Sequence, residues 1–225
     1  MAAVGVVVPA LDAAATLPAV LAELRAALPD ATIIGVDDGS SDGTHDALSA
    51  ACDVVLRFPR NRGKGAALRA GFEVALAQGL QSVVTIDADG QHDPRCAPQL
   101  VAALDDADVA IGARARLGTA MPLRRRLSNA LSSAIVTSLA GCPIADAQCG
   151  YRAIRAEVLR CVQAEGDRYE FETDFLIRVG RAGFRVAAVP IPTLYGGASH
   201  FREVRDAVRV IGTIWRSRRL RRVAT

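Results

Sequence analysis

Between Val83 and Pro94 the chain reads VVTIDADGQHDP, which sets Asp87, Asp89 and Asp93 beside Gln91 and His92 within seven residues. Carboxylates this close repel one another, and each loses hydration energy on burial unless something positive joins it. In extended chain, residues two apart face the same side, so Asp87 and Asp89 can converge on one point. Magnesium or manganese suits such a pair. A hard cation takes one or two carboxylates and completes its octahedron with water and substrate phosphate oxygens. Asp-Gly and Asp-Pro also make ordinary solvated turns after a strand, so the neighbouring motifs must decide between the two readings.

The elements that position this stretch are readable as an alternation. Val4–Val8, Thr32–Val36, Val54–Phe58, Val83–Ile86 and Val109–Ile111 are short apolar runs with the character of buried strands. Leu17, Val20, Leu21, Leu24 and Leu28 recur at helical spacing behind Thr16, which reads as the helix cap, with Pro18 in the first turn. Another helix is expected from about Gly65 to Gln78. Strand, helix, strand, repeated, implies an α/β, Rossmann-like fold with a mostly parallel central sheet and helices on both faces. Ligands bind such sheets at the carboxyl ends of the strands, where the strand order switches. Four polar loops fall there: Pro9-Ala10-Leu11-Asp12, DDGSSDG from Asp37, RNRGKG from Arg60 and DADGQH from Asp87. Beyond Arg114 come a basic-headed helix in LRRRLSNALSSAIVTSLAG, the segment ADAQCGYRAI, a helix around Phe171–Ala182 and a strand at Val186–Ile191. Cys149-Gly150-Tyr151-Arg152 reads as a bend whose arginine is tied to an acid such as Asp146.

Several chemistries are excluded by what is missing. No G-x-G-x-x-G follows the first strand, which removes the usual dinucleotide site. RNRGKG lacks the leading glycine and the Ser/Thr after Gly-Lys that a phosphate loop requires. DDGSSDG, read as a calcium loop, has Ser49 where the bidentate Glu belongs. There is no nucleophilic G-x-S-x-G.

Taken together, VVVPALDAAATL, VDDGSSDGT, RNRGKGAALRAGF, TIDADGQHDP, IGAR, DAQCGYRAI and YEFETDFLIRVGRAGFRVAAVPIPTLYGGASHFR resemble the inverting family-2 glycosyltransferases, in order and over nearly the whole chain. Within that family the likeness is to the dolichyl- and polyprenyl-phosphate mannosyl- or glucosyltransferase group. The resemblance implies a GT-A catalytic domain over 1–200 and a basic amphipathic C-terminal helix over 201–225. It implies transfer of a hexose, with inversion, from a nucleoside-diphosphate sugar to a polyprenyl (dolichyl-type) phosphate. Asp87, Asp89 and Gln91 would hold Mg2+ or Mn2+ and the donor diphosphate. Asp37 or Asp38, with the backbone near Pro9, would recognise the nucleobase, Asp12 would join the donor contacts, and Arg62 or Lys64 would neutralise the diphosphate. Arg114 and Arg125 match the family's phosphate-binding arginines, with Arg124 or Arg126 as neighbouring alternatives. Arginine suits that work because its planar fork binds phosphate oxygens in pairs and never loses its charge. Asn129 stands where a serine is usual, and Ser199-His200 lies in a loop like the one that closes over phosphate. Asp12-Ala13 departs from the family's Asn-Glu.

Two other readings share these residues. Transfer to a hydroxyl of a glycan or glycolipid needs a base to take the hydroxyl proton. Glu172 and Asp174 of YEFETDF are the candidates, and Asp174 is grouped with Asp89 and Arg114 as catalytic. Two residues apart on a helix, the two acids do not share a face, so at most one points into the site. A lipid monophosphate, with its second pKa near about 6, needs no base. The third reading is an inactive donor-binding member, suggested by Asp12-Ala13.

Composition sets the outer limits. A chain of 225 residues, 51% hydrophobic, suffices for one well-buried domain. Only 4% of residues are aromatic, and no aromatic basic stripe exists, so nucleic acid is not an expected partner. Five cysteines without C-x-x-C spacing suit reduced thiols in the cytoplasm. No run reaches the roughly 18 apolar residues of a membrane span, and no signal peptide is expected at the N-terminus. The net charge of +3 hides an uneven distribution, because the tail from Phe201 holds eight arginines against Glu203 and Asp206. Val204, Val208, Ile211 and Trp215 recur there at helical spacing. The expected location is therefore peripheral, on the anionic inner face of the membrane. Each arginine near such a surface contributes roughly 1 kcal/mol. Deleting Arg216–Thr225 is expected to release the protein from anionic vesicles in a co-sedimentation assay while leaving use of a water-soluble acceptor analogue unchanged.

Overall fold

A computed structural model describes residues 3–114 and 123–192, with the backbone alone over 123–128. The expected helix over 201–225, together with Ser199 and His200, lies outside the described residues, as does the side chain of Arg125. In chain order the elements are β1 (Val4–Ala10), α1 (Leu17–Ala27), β2 (Thr32–Asp37), α2 (Thr44–Ala51), β3 (Val54–Arg57), α3 (Lys64–Ala77) and β4 (Ser82–Thr85). They continue with α4 (Ala97–Ala102), β5 (Val109–Arg114), α5 (Leu123–Ala140), β6 (Arg152–Arg155), α6 (Ala156–Cys161), α7 (Glu170–Arg181) and β7 (Val186–Ile191).

The described strands make one seven-stranded sheet in the order β3-β2-β1-β4-β6-β5-β7. β1 lies parallel to β2 and β4, β2 to β3, and β5 to β7. β6 runs antiparallel to both of its neighbours. Two reversals restore direction, so β5 points the same way as β4. The carboxyl ends of β1 to β5 thus share one rim, where the sequence pattern expects ligands. β6 meets that rim with its amino end, delivering Gly150, Tyr151 and Arg152 there.

Both faces of the sheet are covered, so its central strands read as continuous apolar runs. Val6, Val7, Val8, Ile33, Ile34, Val83 and Val84 are all fully buried. α3 lies close enough to β1 that Gly71 sits directly on Val7. From the other face, α2 packs on β2, with Leu48 and Cys52 against Gly35. α1 packs on both α2 and α4, while α6 and α7 pack on α3, and α5 packs on α7.

Four short elements are absent from the sequence reading. α2 (THDALSAA) buries only Thr44 and Leu48, too sparse a stripe for a periodicity argument. α4 and α6 have six residues each. β6 reads RAIR, with an arginine at each end and one β-branched residue, yet its first three residues are buried because neighbours on both sides enclose it.

The turn into α3 is the most constrained piece of backbone near the rim. Gly63 adopts φ +107 and ψ 155, a region only glycine occupies readily. A Cβ there would collide with the backbone carbonyl of Asp167, and the Gly63 N–H donates to Asp38 at 2.8 Å. Gly63→Ala combines backbone strain with a backbone clash. It is expected to cost at least about 2 kcal/mol, a fall in Tm of roughly 4–8 °C for a chain of this size, read by thermal unfolding.

Candidate functional site

The D-x-D motif leaves the sheet directly after β4. Thr16 holds the N-cap position of α1, as the sequence suggests, but its hydroxyl makes no capping bond and instead donates to the Ala88 carbonyl at 2.6 Å and reaches the Ala13 carbonyl at 3.3 Å. The start of α1 is thereby pinned to the peptide between the two aspartates. Asp89 Oδ1 accepts the Gln91 N–H at 2.9 Å. Asp93 faces elsewhere: it caps the next turn through the Arg95 N–H at 3.0 Å and pairs with the Arg95 guanidinium at 2.8 Å. His92 is buried, its ring 5.4 Å from that of Tyr151, and its Nδ1 has no hydrogen-bond partner among the described residues.

Opposite Asp87 stand groups from three distant segments. Lys64 Nζ, in the first turn of α3, lies 2.6 Å from Asp87 Oδ1 and 3.1 Å from Glu172 Oε2 of α7. Arg152 backs Glu172 at 4.0 Å and is held by the carbonyls of Cys149 at 2.9 Å and of Ala147 and Glu172 at 3.2 Å. Gly150 fills the space between, its carbonyl accepting the Thr85 hydroxyl at 2.7 Å. A Cβ on Gly150 would stand 2.7 Å from Lys64 Nζ and 3.0 Å from both Asp87 Oδ2 and Glu172 Oε1.

The two aspartates are driven in opposite directions. Burial opposes ionisation of Asp87, but Lys64, then His92 and Arg152, outweigh it and hold the carboxyl below the usual range. Burial, then the charge of Asp87, raises Asp89. Burial lowers His92 below its ordinary value. For Lys64 the burial penalty is overcome by Asp87 and Glu172, so the ammonium stays protonated. Asp87, Asp89 and the Gln91 amide offer hard oxygen donors, and among the described residues no ion pair is formed by Asp89 like that of Asp87 with Lys64. That combination fits a divalent ion such as Mg2+ or Mn2+.

On the other side of the rim, acids tie one loop to the next. Asp12 takes the left-handed conformation, φ +47, which Asp and Asn tolerate better than most residues. Its Oδ1 accepts the Ser41 N–H at 2.9 Å, and its own N–H donates to Ser40 Oγ at 3.0 Å. The Ala13 N–H donates to Thr44 Oγ1 at 2.7 Å. Asp37 is fully buried at the end of β2, where Oδ1 accepts the Ser40 N–H at 2.8 Å and Oδ2 lies 3.2 Å from Arg57 Nε. Asp38 accepts the backbone N–H groups of Arg62 at 2.7 Å and Gly63 at 2.8 Å, so it shapes the RNRG loop. Pro9 pairs in register with Val36 within the sheet. Arg62 lies over the Phe58 ring at 4.7 Å, leaving Lys64 as the cation of that loop that meets the D-x-D.

Other expectations are redrawn. Asp146 partners Arg114 rather than Arg152, at 2.7 and 3.0 Å in a two-pronged pair at the end of β5. Asn129 is half-buried on α5. Asp174, grouped with the catalytic residues, faces away from Asp87: its Oδ2 accepts Arg178 Nε at 2.6 Å and the Glu165 N–H at 2.8 Å. The acid of YEFETDF that reaches the D-x-D is Glu172. The alternation of faces along α7 limits the choice to one acid, but only the packing of Arg178 shows which.

The sequence pattern of glycosyl transferase family 2 matches residues 5–163. An undecaprenyl-phosphate mannosyltransferase of Micrococcus luteus is 36% identical over 196 residues, 82% of this chain and 81% of that protein. A polyprenol monophosphomannose synthase of Mycolicibacterium smegmatis is 35% identical over 83% of this chain and 75% of its own. Among solved structures, glucosyl-3-phosphoglycerate synthase from Mycobacterium tuberculosis, in complex with Mn2+, UDP and glucosyl-3-phosphoglycerate, superposes with a TM-score of 0.74. It is 24% identical and the match covers 96% of this chain and 80% of that one, a likeness of fold, here the GT-A arrangement.

Because its folded-state pKa is raised, ionised Asp89 destabilises the metal-free protein. The penalty is full above that pKa, shrinks as the pH falls through it and vanishes below the ordinary carboxylate value, where the group is neutral in both folded and unfolded states. Asp89→Asn keeps the acceptor for Gln91 and removes the charge. Without metal, the variant is expected to melt above wild type at pH 7, with the gap closing as the pH falls, followed by thermal unfolding across pH in a chelator-containing buffer.

Proposed function

The chain belongs to glycosyl transferase family 2 and is a glycosyltransferase, and on that premise we propose that it moves a hexose from a nucleoside-diphosphate sugar onto a polyprenyl phosphate. The observation that carries the choice of acceptor is the engagement of both acids of α7. Glu172 is held by Lys64, and Asp174 by Arg178, so neither is presented as the base that a hydroxyl acceptor requires. An ionised phosphate needs only orientation and neutralisation. The names of the Micrococcus and Mycolicibacterium relatives point to the same acceptor class.

In this reading the lipid phosphate oxygen attacks the anomeric carbon from the face opposite the diphosphate. The bond from that carbon to the diphosphate breaks, and its electron pair leaves with the nucleoside diphosphate, which inverts the centre. Mg2+ or Mn2+, held by Asp87, Asp89 and Gln91, would supply Lewis-acid neutralisation of the diphosphate. Arg114, oriented by Asp146, is assigned to the phosphate, whose oxygens a guanidinium binds in pairs. Arg125, Asn129, Ser199 and His200 complete the proposed acceptor contacts. Pro9, Asp12, Asp37 and Asp38 serve the donor by holding the loops that frame its base. The catalytic unit is assigned to 1–200, with 201–225 as a basic helix on the anionic membrane surface. No helix among the described residues is long and apolar enough to cross a membrane.

The test is a transfer assay with radiolabelled GDP- and UDP-sugars and polyprenyl phosphate. A lipid product labile to mild acid and lost with EDTA is expected. Asp89→Asn should lower turnover at least about a hundredfold, the scale of losing one electrostatic stabiliser. Glu172→Gln at saturating metal should stay within about tenfold of wild type, well short of the loss that follows removal of a general base. A Glu172→Gln protein that binds nucleotide-sugar but does not turn over would instead indicate a hydroxyl acceptor.

A further inference from the structure

Asp87 stands in two roles that cannot coexist. It is a proposed ligand of a divalent cation, yet its Oδ1 already lies 2.6 Å from the Lys64 ammonium. Two cations against one carboxylate repel strongly where water is scarce. We propose that Lys64 is the resident cation that neutralises Asp87 until the metal arrives, and that Glu172 is the acid onto which Lys64 then withdraws. The proposal rests on the reading of Asp87 and Asp89 as metal ligands and adds a positioning role for Glu172 that acts through Lys64.

The geometry makes the exchange short. Lys64 Nζ contacts both acids at once, at 2.6 Å from Asp87 and 3.1 Å from Glu172, so the ammonium changes its main partner without leaving hydrogen-bond range. The backbone at the root of Lys64 is fixed: the Gly63 N–H is held by Asp38 at 2.8 Å, and the Ala66 N–H by the Asp167 carbonyl at 3.1 Å. Only the tip of the side chain needs to move. Glu172 is equipped to receive it, because Arg152 stands 4.0 Å behind with its donors committed to three carbonyls. That second cation remains beside Glu172 whether or not Lys64 is near. Gly150 leaves the space in which the ammonium shifts, since a Cβ there would crowd all three charged ends.

The consequence is a competition that metal binding reads directly, without turnover. Mn2+ alone is titrated into the metal-free full-length protein, with free Mn2+ followed by electron paramagnetic resonance. Four proteins are compared: wild type, Lys64→Met, Glu172→Gln and the double variant, with Lys64→Gln replacing Lys64→Met if the latter does not fold. Removing the resident ammonium should tighten Mn2+ binding about tenfold or more. Glu172→Gln, which strands Lys64 on Asp87, should weaken it about tenfold or more, the scale known for groups that support metal ligands. In the double variant the Glu172 effect should disappear to within about twofold of Lys64→Met, the scatter of independent sites. A Glu172→Gln loss that persists without Lys64 would make Glu172 a ligand or a structural acid and overturn the exchange. Mn2+ binding by wild type that no variant changes would also overturn it while leaving the metal reading intact. No Mn2+ binding by any of the four would remove the metal reading and the exchange with it.

Discussion

Asp87 holds a negative charge at the end of a strand whose other residues are excluded from water, and Asp89 adds a second charge just beyond it. Much of the rim is arranged around that repulsion. α3 begins where it does so that Lys64 can reach Asp87. α7 supplies Glu172 as the second anchor of the same ammonium. β6 enters the sheet so that Arg152 stands behind Glu172 and Gly150 leaves the space between. Elements separated by most of the chain thus meet at one pair of carboxylates, and an ion pair removed from water on this scale is costly to break from either side.

The remaining acids of the rim act mainly on backbone. Asp12 and Asp38 accept main-chain N–H groups from a neighbouring loop, and Asp37 accepts one from Ser40 of its own; such charge-assisted bonds are stronger than neutral ones. The loops after β1, β2 and β3 are therefore fastened to each other rather than only to their own strands. For Asp38 the burial cost raises the carboxyl against its two N–H bonds and Arg168, which lower it. Loops tied together in this way are held in place before any ligand enters, which reduces the ordering cost of binding.

The alternation of strands and helices over the first half of the chain was legible because buried parallel strands carry long apolar runs and their helices carry broad stripes. The rim loops were legible for a related reason, since polar motifs directly after such strands fall at one edge. What escaped the sequence depended on contacts distant in the chain. RAIR becomes a buried strand only because β4 and β5 enclose it. Thr16 looks like a cap and holds Ala88. Asp146 is close in sequence to Arg152, yet tertiary packing gives it Arg114 instead. Periodicity narrows Glu172 and Asp174 to one inward-facing acid, but the choice is made by Arg178 and Lys64.

The reversed strand has a consequence for the order in which the molecule can be completed. β4 is bordered by β1 on one side and by β6 on the other, so a chain that ends before Arg152 presents the apolar edge of Ser82–Thr85 with no strand to cover it. Unpaired edges of this kind recruit strands from other chains. Roughly the first two-thirds of the protein can form its share of the sheet, yet it carries an open seam until β6 is inserted. Fragments cut within that interval are liable to self-association, and the seam closes only when the segment bearing Gly150 and Arg152 arrives. Closing the seam and placing Gly150 and Arg152 at the charged site are therefore a single event in the life of the chain.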